Sequence, residues 1–286
     1  MVQKMNGEYL NKVPSWYKSE EKFDVVLSDD LDGIVSTSAL KYAKGWEVEY
    51  FYNFSKLYIN SPLYFKENKN ATRVWADVAI TRQEKTFDNH ISRKNLGDKL
   101  NPYCINPNVL TNVTNENYYD KYCGSSALLI WSLYDIPLPK TELGKMLLLA
   151  IDSTFKGFYC GANFKERNRF YLCDVLGLEE LYEVEKRHNK NEFYELMEKY
   201  KLAEKTTVDE DGYLHTNLDL DFLSKELGIE LSIPTDKQMV EWRSLDKKKG
   251  NYYGEVSEIP YLITLAYTGK NFIMCSTMSK NQKGNK

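Results

Sequence analysis

Histidine is scarce in this chain, with only His90, His188 and His215 present. Chemistry that needs an imidazole therefore has few candidates. The five cysteines, Cys104, Cys123, Cys160, Cys173 and Cys275, are far apart, odd in number and form no CxxC pair. That excludes a disulfide framework or a thiolate zinc site and points to buried thiols in a reducing compartment. No apolar run approaches the roughly 18 to 20 residues that span a membrane. The opening MVQKMNGEYLNKVPSW lacks the apolar core of a signal peptide. A cytoplasmic protein with no membrane partner is the expectation. An excess of positive charge is missing too: 38 Lys and Arg stand against 41 Asp and Glu, for a net charge of −3. No global basic field recruits long nucleic acid, so such a substrate would need a local basic cleft or would have to be short.

What is present in quantity is tyrosine, at 22 residues. Tyrosine offers stacking faces for bases, although a Tyr-rich chain also follows from genome composition alone. A length of 286 residues leaves room for one large domain or two.

The chain is organised around Phe23 to Leu40, FDVVLSDDLDGIVSTSAL. Val25-Val26-Leu27 reads as a buried parallel strand. Asp29, Asp30 and Asp32 follow within four positions, then Gly33 and a helix-forming run closed by Gly45. Like charges so close repel unless a cation or strong donors offset them. The loop reads as a divalent-metal loop or, more simply, as a polar turn capping a helix.

The pattern then repeats. Residues 46–52 read as a strand, and residues 53–71 as a loop with a short helix. Residues 73–79, RVWADVA, form a strand with Asp77 at its exit, and residues 86–90 a strand ending in Asp88, Asn89 and His90. Strand exits in a parallel sheet line up along one edge, so these groups converge although they are distant in sequence. Such oxygen and imidazole ligands suit Mn²⁺ or Mg²⁺. Residues 91–123 read as loop. Gly124-Ser125-Ser126 opens an apolar helix to Tyr134, and Thr141 caps another from Glu142 to about Phe155, with Asp152 inside it. Residues 164–201 read as a charged, solvated helical segment, residues 219–227 as a helix ended by Gly228, and residues 259–278 as a hairpin around Thr268-Gly269-Lys270. The lead-in 1–22 and the tail SKNQKGNK read as polar, the tail frayed. The expected fold is α/β: a parallel-sheet domain over residues 1–160 and a smaller α+β domain over residues 161–286.

Four of these motifs, in order, resemble the DHH phosphoesterase superfamily, which includes RecJ-type exonucleases, nanoRNases, cyclic-dinucleotide phosphodiesterases and family II pyrophosphatases. DLDG at Asp30 to Gly33 with Ser36 behind it is similar to the family's DxDG-xx-S loop. Asp77 is similar to the lone Asp of its second motif, Asp88-Asn89-His90 to its signature triplet, and Asp152 to its fourth-motif Asp. The resemblance covers roughly residues 22–158, and the spelling SDDLDGIVS is nearest the nanoRNase-like branch. It implies a DHH-type domain followed by a truncated substrate or cap domain. Departures are specific. Val26 and Ser28 stand where a ligand His is usual, Asn89 replaces the middle His of the triplet, and a late Gly-rich His segment is missing.

The resemblance implies a Mn²⁺- or Mg²⁺-dependent phosphodiesterase acting on short oligonucleotides, single-stranded nucleic acid or nucleotides. It implies metal ligands at Asp30, Asp32, Asp77, Asp152 and Asn89, with Asp77 bridging. His90 faces the phosphate, Asp88 orients its neighbours, and Ser28 and Ser36 contact substrate or, in the simpler reading, cap helices. Asp29 is an extra carboxylate. The lost imidazoles imply a weak second metal position. Arg73, Arg82, Arg93, Arg167 and Arg169, with the Tyr-rich stretches 50–64 and 117–122, are the expected substrate contacts. The alternatives are a catalytically impaired binding module and a phosphoesterase acting on cyclic dinucleotides or other small phosphates. The composition and trimmed motifs also suit a phage or mobile-element protein.

Overall fold

The computed structural model describes residues 5–66 and 72–279. The expected frayed tail, apart from Ser279, and residues 67–71 of the expected loop lie outside them, as do residues 1–4 of the lead-in. The described chain is mixed α/β. Its strands are β1 Asp24–Ser28, β2 Glu47–Tyr52, β3 Lys56–Asn60, β4 Arg73–Ala76, β5 Lys85–Phe87, β6 Cys104–Ile105, β7 Thr207–Val208, β8 Leu214–His215, β9 Met239–Asn251, β10 Leu262–Gly269 and β11 Phe272–Met278.

Among the described residues, nine strands form one sheet in the order β10-β11-β9-β3-β2-β1-β4-β5-β6, and β7 and β8 form a separate hairpin. The strands from β2 to β6 in this order run parallel. Beyond β2, the pairings through β3, β9, β11 and β10 are antiparallel. The far end curls back onto the segments that leave β4 and β5. Leu265 N donates to Ala79 O at 2.9 Å and Tyr267 N to Ile91 O at 2.8 Å. Strands from both sides of residue 160 thus share a single sheet.

β1 is the pivot. Val25, Val26 and Leu27 are wholly buried. Val25 and Leu27 face the helical layer, while Val26 packs with Tyr52, Trp75 and Ile263 on the other face. Each such side chain contributes roughly 1.5–3 kcal/mol of burial, which holds the acidic loop on a rigid base. The chain leaves β1 toward β2 on one side and returns to β4 on the other. Where connections diverge in this way, the carboxyl ends of the strands open a crevice.

The helix Leu31–Lys44 begins at Asp30, whose Oδ1 accepts Gly33 N at 3.1 Å, and ends at Gly45 with φ 65°. Ser126–Leu133 is capped by Ser125, and Glu142–Ala150 by Thr141. The helix expected to reach Phe155 stops at Ala150. Asp152 lies beyond it with φ 50°, in a tight turn that a continuing helix cannot include. The segment expected to be solvated contains the helices Ala162–Arg169, Glu179–Arg187 and Lys190–Lys199. Their apolar stripes reach the core: Leu181, Val184 and Phe193 are wholly buried. The stretch 53–71 holds β3 before the short helix Ser61–Lys66, and β9 was not expected at all. The lead-in is not merely polar, since Trp16 and Tyr17 are buried and Trp16 Nε1 donates to Tyr103 O at 2.9 Å. No helix among the described residues is long and apolar enough to cross a membrane.

Candidate active site

The acidic groups stand at the carboxyl ends of β1, β4 and β5. Asp32, in the first turn of the Leu31–Lys44 helix, is only 3% exposed. Its Oδ2 accepts Ser126 N at 2.7 Å and its Oδ1 accepts Ala127 N at 2.8 Å. The carboxylate thus sits on the N-terminus of the Ser126–Leu133 helix, where free N–H groups favour an anion. Ser36 Oγ adds a bond to Oδ1 at 3.1 Å.

Asp77 leaves β4 in the left-handed region, with φ 58°, a conformation Asp tolerates better than most residues. It is buried, with Ser126 Oγ donating to Oδ1 at 3.1 Å and Ser28 Oγ to Oδ2 at 3.3 Å. Ser28 and Ser36 are both wholly buried and hold carboxylates; neither caps a helix. Gly33 lets the helix approach β1 closely. A Cβ there would lie 2.1 Å from Ser28 Oγ and 2.8 Å from Ser28 O.

Asn89 and Asp152 meet directly. Asn89 Nδ2 donates to Asp152 Oδ2 at 2.8 Å and to Gly124 O at 2.9 Å. Asn89 is 6% exposed, and its Oδ1 is buried with no hydrogen-bond partner, an arrangement that costs free energy unless a ligand uses the oxygen. Asp152 itself is exposed. Next to them Asp88, wholly buried, accepts His90 N at 3.1 Å and faces His90 Nδ1 at 2.8 Å through Oδ1, while Asn106 Nδ2 donates to Oδ2 at 2.9 Å. His90 keeps 26% of its side chain exposed.

The charges feel one another. Burial, then Asp152 and Asp30, push the Asp32 carboxyl up to about 7. Burial, then Asp32, Asp30, Asp152 and Asp88, hold Asp77 well above the usual carboxylate range. Burial lowers His90, but the bond and charge of Asp88, with Asp152, outweigh it and raise its pKa. Clusters of groups perturbed by burial and by one another's charge are typical of functional sites.

Asp30, Asp32, Asp77, Asn89, Asp88, His90 and Asp152 therefore share one region. Among the described residues, no three His, Cys, Asp or Glu side chains are drawn together as a formed metal cage. The carboxylate oxygens of Asp32 and Asp77 accept from N–H and O–H donors instead. The donor set nonetheless fits a hard cation: several carboxylates raising one another and an amide oxygen with no partner.

The expected substrate contacts fare differently. Arg73 pairs with Glu84, Arg167 with Asp120, and Arg169 with Glu166 and Asp174. Arg82 contacts Met278 and Arg93 is buried. Tyr50, Tyr52, Tyr118 and Tyr122 are buried, Tyr58 is half-buried and Tyr119 is exposed. The cations near the site are ones the sequence did not mark. Lys205 bonds Asp29 Oδ1 at 3.0 Å and Asp30 Oδ2 at 3.1 Å. Lys121 stands near Asp152 and His90, and Lys247 near Asp29. Ser126 was legible only as a helix start, and nothing local marks Lys205, which lies 175 residues from Asp30.

Compared with family models, curated proteins and solved structures, the chain finds no match.

Proposed function

We propose that the chain is a metal-dependent phosphodiesterase that hydrolyses short oligonucleotides or single-stranded nucleic acid with Mn²⁺ or Mg²⁺. One observation carries the reading. Asp32, Asp77 and the Asn89–Asp152 pair meet at the carboxyl edge of parallel strands, beside a histidine held by a buried carboxylate. The four-motif resemblance to the DHH superfamily supports it, because its residues are the ones that meet there.

Asp32, Asp77, Asp152 and Asn89 Oδ1 would hold the ion. When bound, a divalent ion makes a water more acidic and neutralises charge on phosphate oxygens. The chain's own residues do the rest. Two of the donors on Asp77 are hydroxyls, from Ser28 and Ser126, which rotate to release lone pairs. His90, whose pKa is raised by the bond and charge of Asp88 and by Asp152 against the lowering by burial, holds its proton more firmly than a free imidazole does. Asp88 takes Nδ1, so Nε2 is the nitrogen that donates to a phosphate oxygen and stabilises charge developing there. Lys121 and Lys247 supply positive charge for an anionic substrate.

The test is a Mn²⁺ panel of short RNA, short DNA, cyclic dinucleotides and pyrophosphate, with Asp77→Ala as control. Hydrolysis of the short oligonucleotides, lost with EDTA and in Asp77→Ala, is expected. Hydrolysis that survives EDTA undiminished overturns the reading. One observation favours a second reading, a catalytically impaired binding module. Both Asp32 oxygens already accept helix N–H groups, which is a structural employment. Nucleic-acid binding without cleavage, intact in Asp77→Ala, would select it.

A further inference from the structure

The acidic groups divide into two halves with different counter-charges. In the inner half, Asp32 and Asp77 are neutralised only by N–H and O–H dipoles, and Asn89 Oδ1 has no partner. In the outer half, Asp29 and Asp30 already hold a full positive charge. Lys205 Nζ lies 3.0 Å from Asp29 Oδ1 and 3.1 Å from Asp30 Oδ2.

Asp30 has little left to offer a metal, and one oxygen of Asp29 is already held by Lys205. Asp30 Oδ1 is taken by Gly33 N, as the helix cap, and Oδ2 by Lys205. The neighbouring Ser28 hydroxyl, which faces Asp77, is neutral. Lys205 keeps half of its side chain exposed, but it is tied to the loop by its backbone as well. Thr206 N donates to Asp29 O at 2.7 Å, so the backbone next to Lys205 is bound to the same loop. Lys247 adds positive charge near Asp29. An ammonium fixed by two carboxylates resists displacement by a second divalent ion, which would have to expel it and then meet the first ion's field.

We infer that Lys205 is the resident cation of the outer half, a positioning residue that takes the place of a second metal ion, and that the site binds a single divalent ion in its inner half. This rests on the metal-dependent reading above. It accounts for a charge balance that leaves the outer pair partly neutralised while the inner pair waits for a cation.

Mn²⁺ stoichiometry tests it without any activity assay. Free Mn²⁺ is counted by electron paramagnetic resonance against protein, for wild type, Lys205→Gln, Lys205→Arg and Asp77→Asn. Thermal melts confirm that each variant is folded. Wild type and Lys205→Arg are expected to take up one Mn²⁺ per chain, and Lys205→Gln a second, as Asp29 and Asp30 lose their ammonium. Two ions in wild type, or only one in folded Lys205→Gln, overturns the inference while leaving the metal reading standing. No bound Mn²⁺ in wild type, or binding indifferent to Asp77→Asn, overturns the metal reading and this inference with it. If Lys205→Gln does not fold, Lys205→Arg decides: a second ion taken up while the charge is kept overturns the inference, and one ion supports it.

Discussion

A single oxygen of Asp88 holds His90 twice: Oδ1 accepts the backbone N–H at 3.1 Å and faces ring Nδ1 at 2.8 Å. The ring's orientation and its tautomer are therefore set by the same buried carboxylate, which Asn106 steadies from the other side. Paired groups of this kind fix which nitrogen is free to act.

Asp88→Asn tests that hold. Removing the carboxylate removes the bond and charge that raise His90, while burial, which lowers it, remains. The His90 pKa is expected to fall, followed by NMR titration of the ring protons. Under the proposed reaction kcat falls by about 10- to 100-fold. The sign for stability follows. A raised His90 contributes stability below the ordinary 6.5 that is lost as pH rises through its folded pKa. Asp88→Asn therefore costs more at pH 5 than at pH 8. An unchanged titration of His90 would count against the assignment.

The buried carboxyls set a second pH dependence. Asp32 titrates near 3.8 when unfolded and at about 7 when folded. The folded chain holds a proton that the unfolded chain releases, so this stability is present below 3.8 and is lost as pH rises through about 7. Asp77 acts in the same direction. A divalent ion needs the deprotonated ligands. Mn²⁺ is expected to raise Tm more at pH 8 than at pH 5, and EDTA to reverse it. A shift that is equal at both pH values, or larger at pH 5, contradicts this.

Gly33→Ala tests the close approach of the helix to β1. The new Cβ would meet Ser28 backbone oxygen at 2.8 Å as well as its hydroxyl. Backbone cannot step aside as a side chain tip can, so overpacking of about 1–3 kcal/mol is expected. Denaturant melts should show that loss, together with weakened Mn²⁺ binding, because Ser28 and Asp77 shift with it. Full stability in the variant would show that the loop relaxes freely.

Glu185 lies outside the candidate site but is wholly buried. Asn168 Nδ2 donates to its Oε2 at 2.5 Å, and its Oε1 has no partner. Burial holds its pKa well above the ordinary 4.5, against the bond from Asn168 and the charge of Lys165. Its ionisation therefore costs stability as pH rises. Glu185→Gln is expected to raise Tm by about 2–4 °C at pH 8, a gain that vanishes near pH 4. A lower Tm at pH 8 would mean that the charged form is the one the fold prefers.

Much of the fold was legible because its signals are local. Val25 to Leu27 read as a buried strand, Gly45 and Gly228 closed helices at positive φ, Thr141 capped its helix, and the hairpin of β10 and β11 stood out by its apolar runs. β3 and β9 were missed for a physical reason. β9, MVEWRSLDKKKGN, carries charged side chains through much of its length, and only backbone pairing with β3 and β11 makes it a strand. Asp152 was misplaced within a helix because nothing in LLLAIDSTF announces a residue at φ 50°.

By itself the sequence marked the groups that meet at the strand ends: Asp30, Asp32, Asp77, Asp88, Asn89, His90 and Asp152, each in a motif a few residues long at the end of a strand or helix. Tertiary structure alone decided what each of them touches. It put the helix N-terminus at Ser126 and Ala127 on Asp32, turned the Ser28 hydroxyl toward Asp77, and brought Lys205 across 175 residues of chain to Asp30. Strand exits are written in local periodicity. The partner of a carboxylate is not, because it depends on which distant loops the curled sheet folds together over the acidic loop at Asp29 to Gly33.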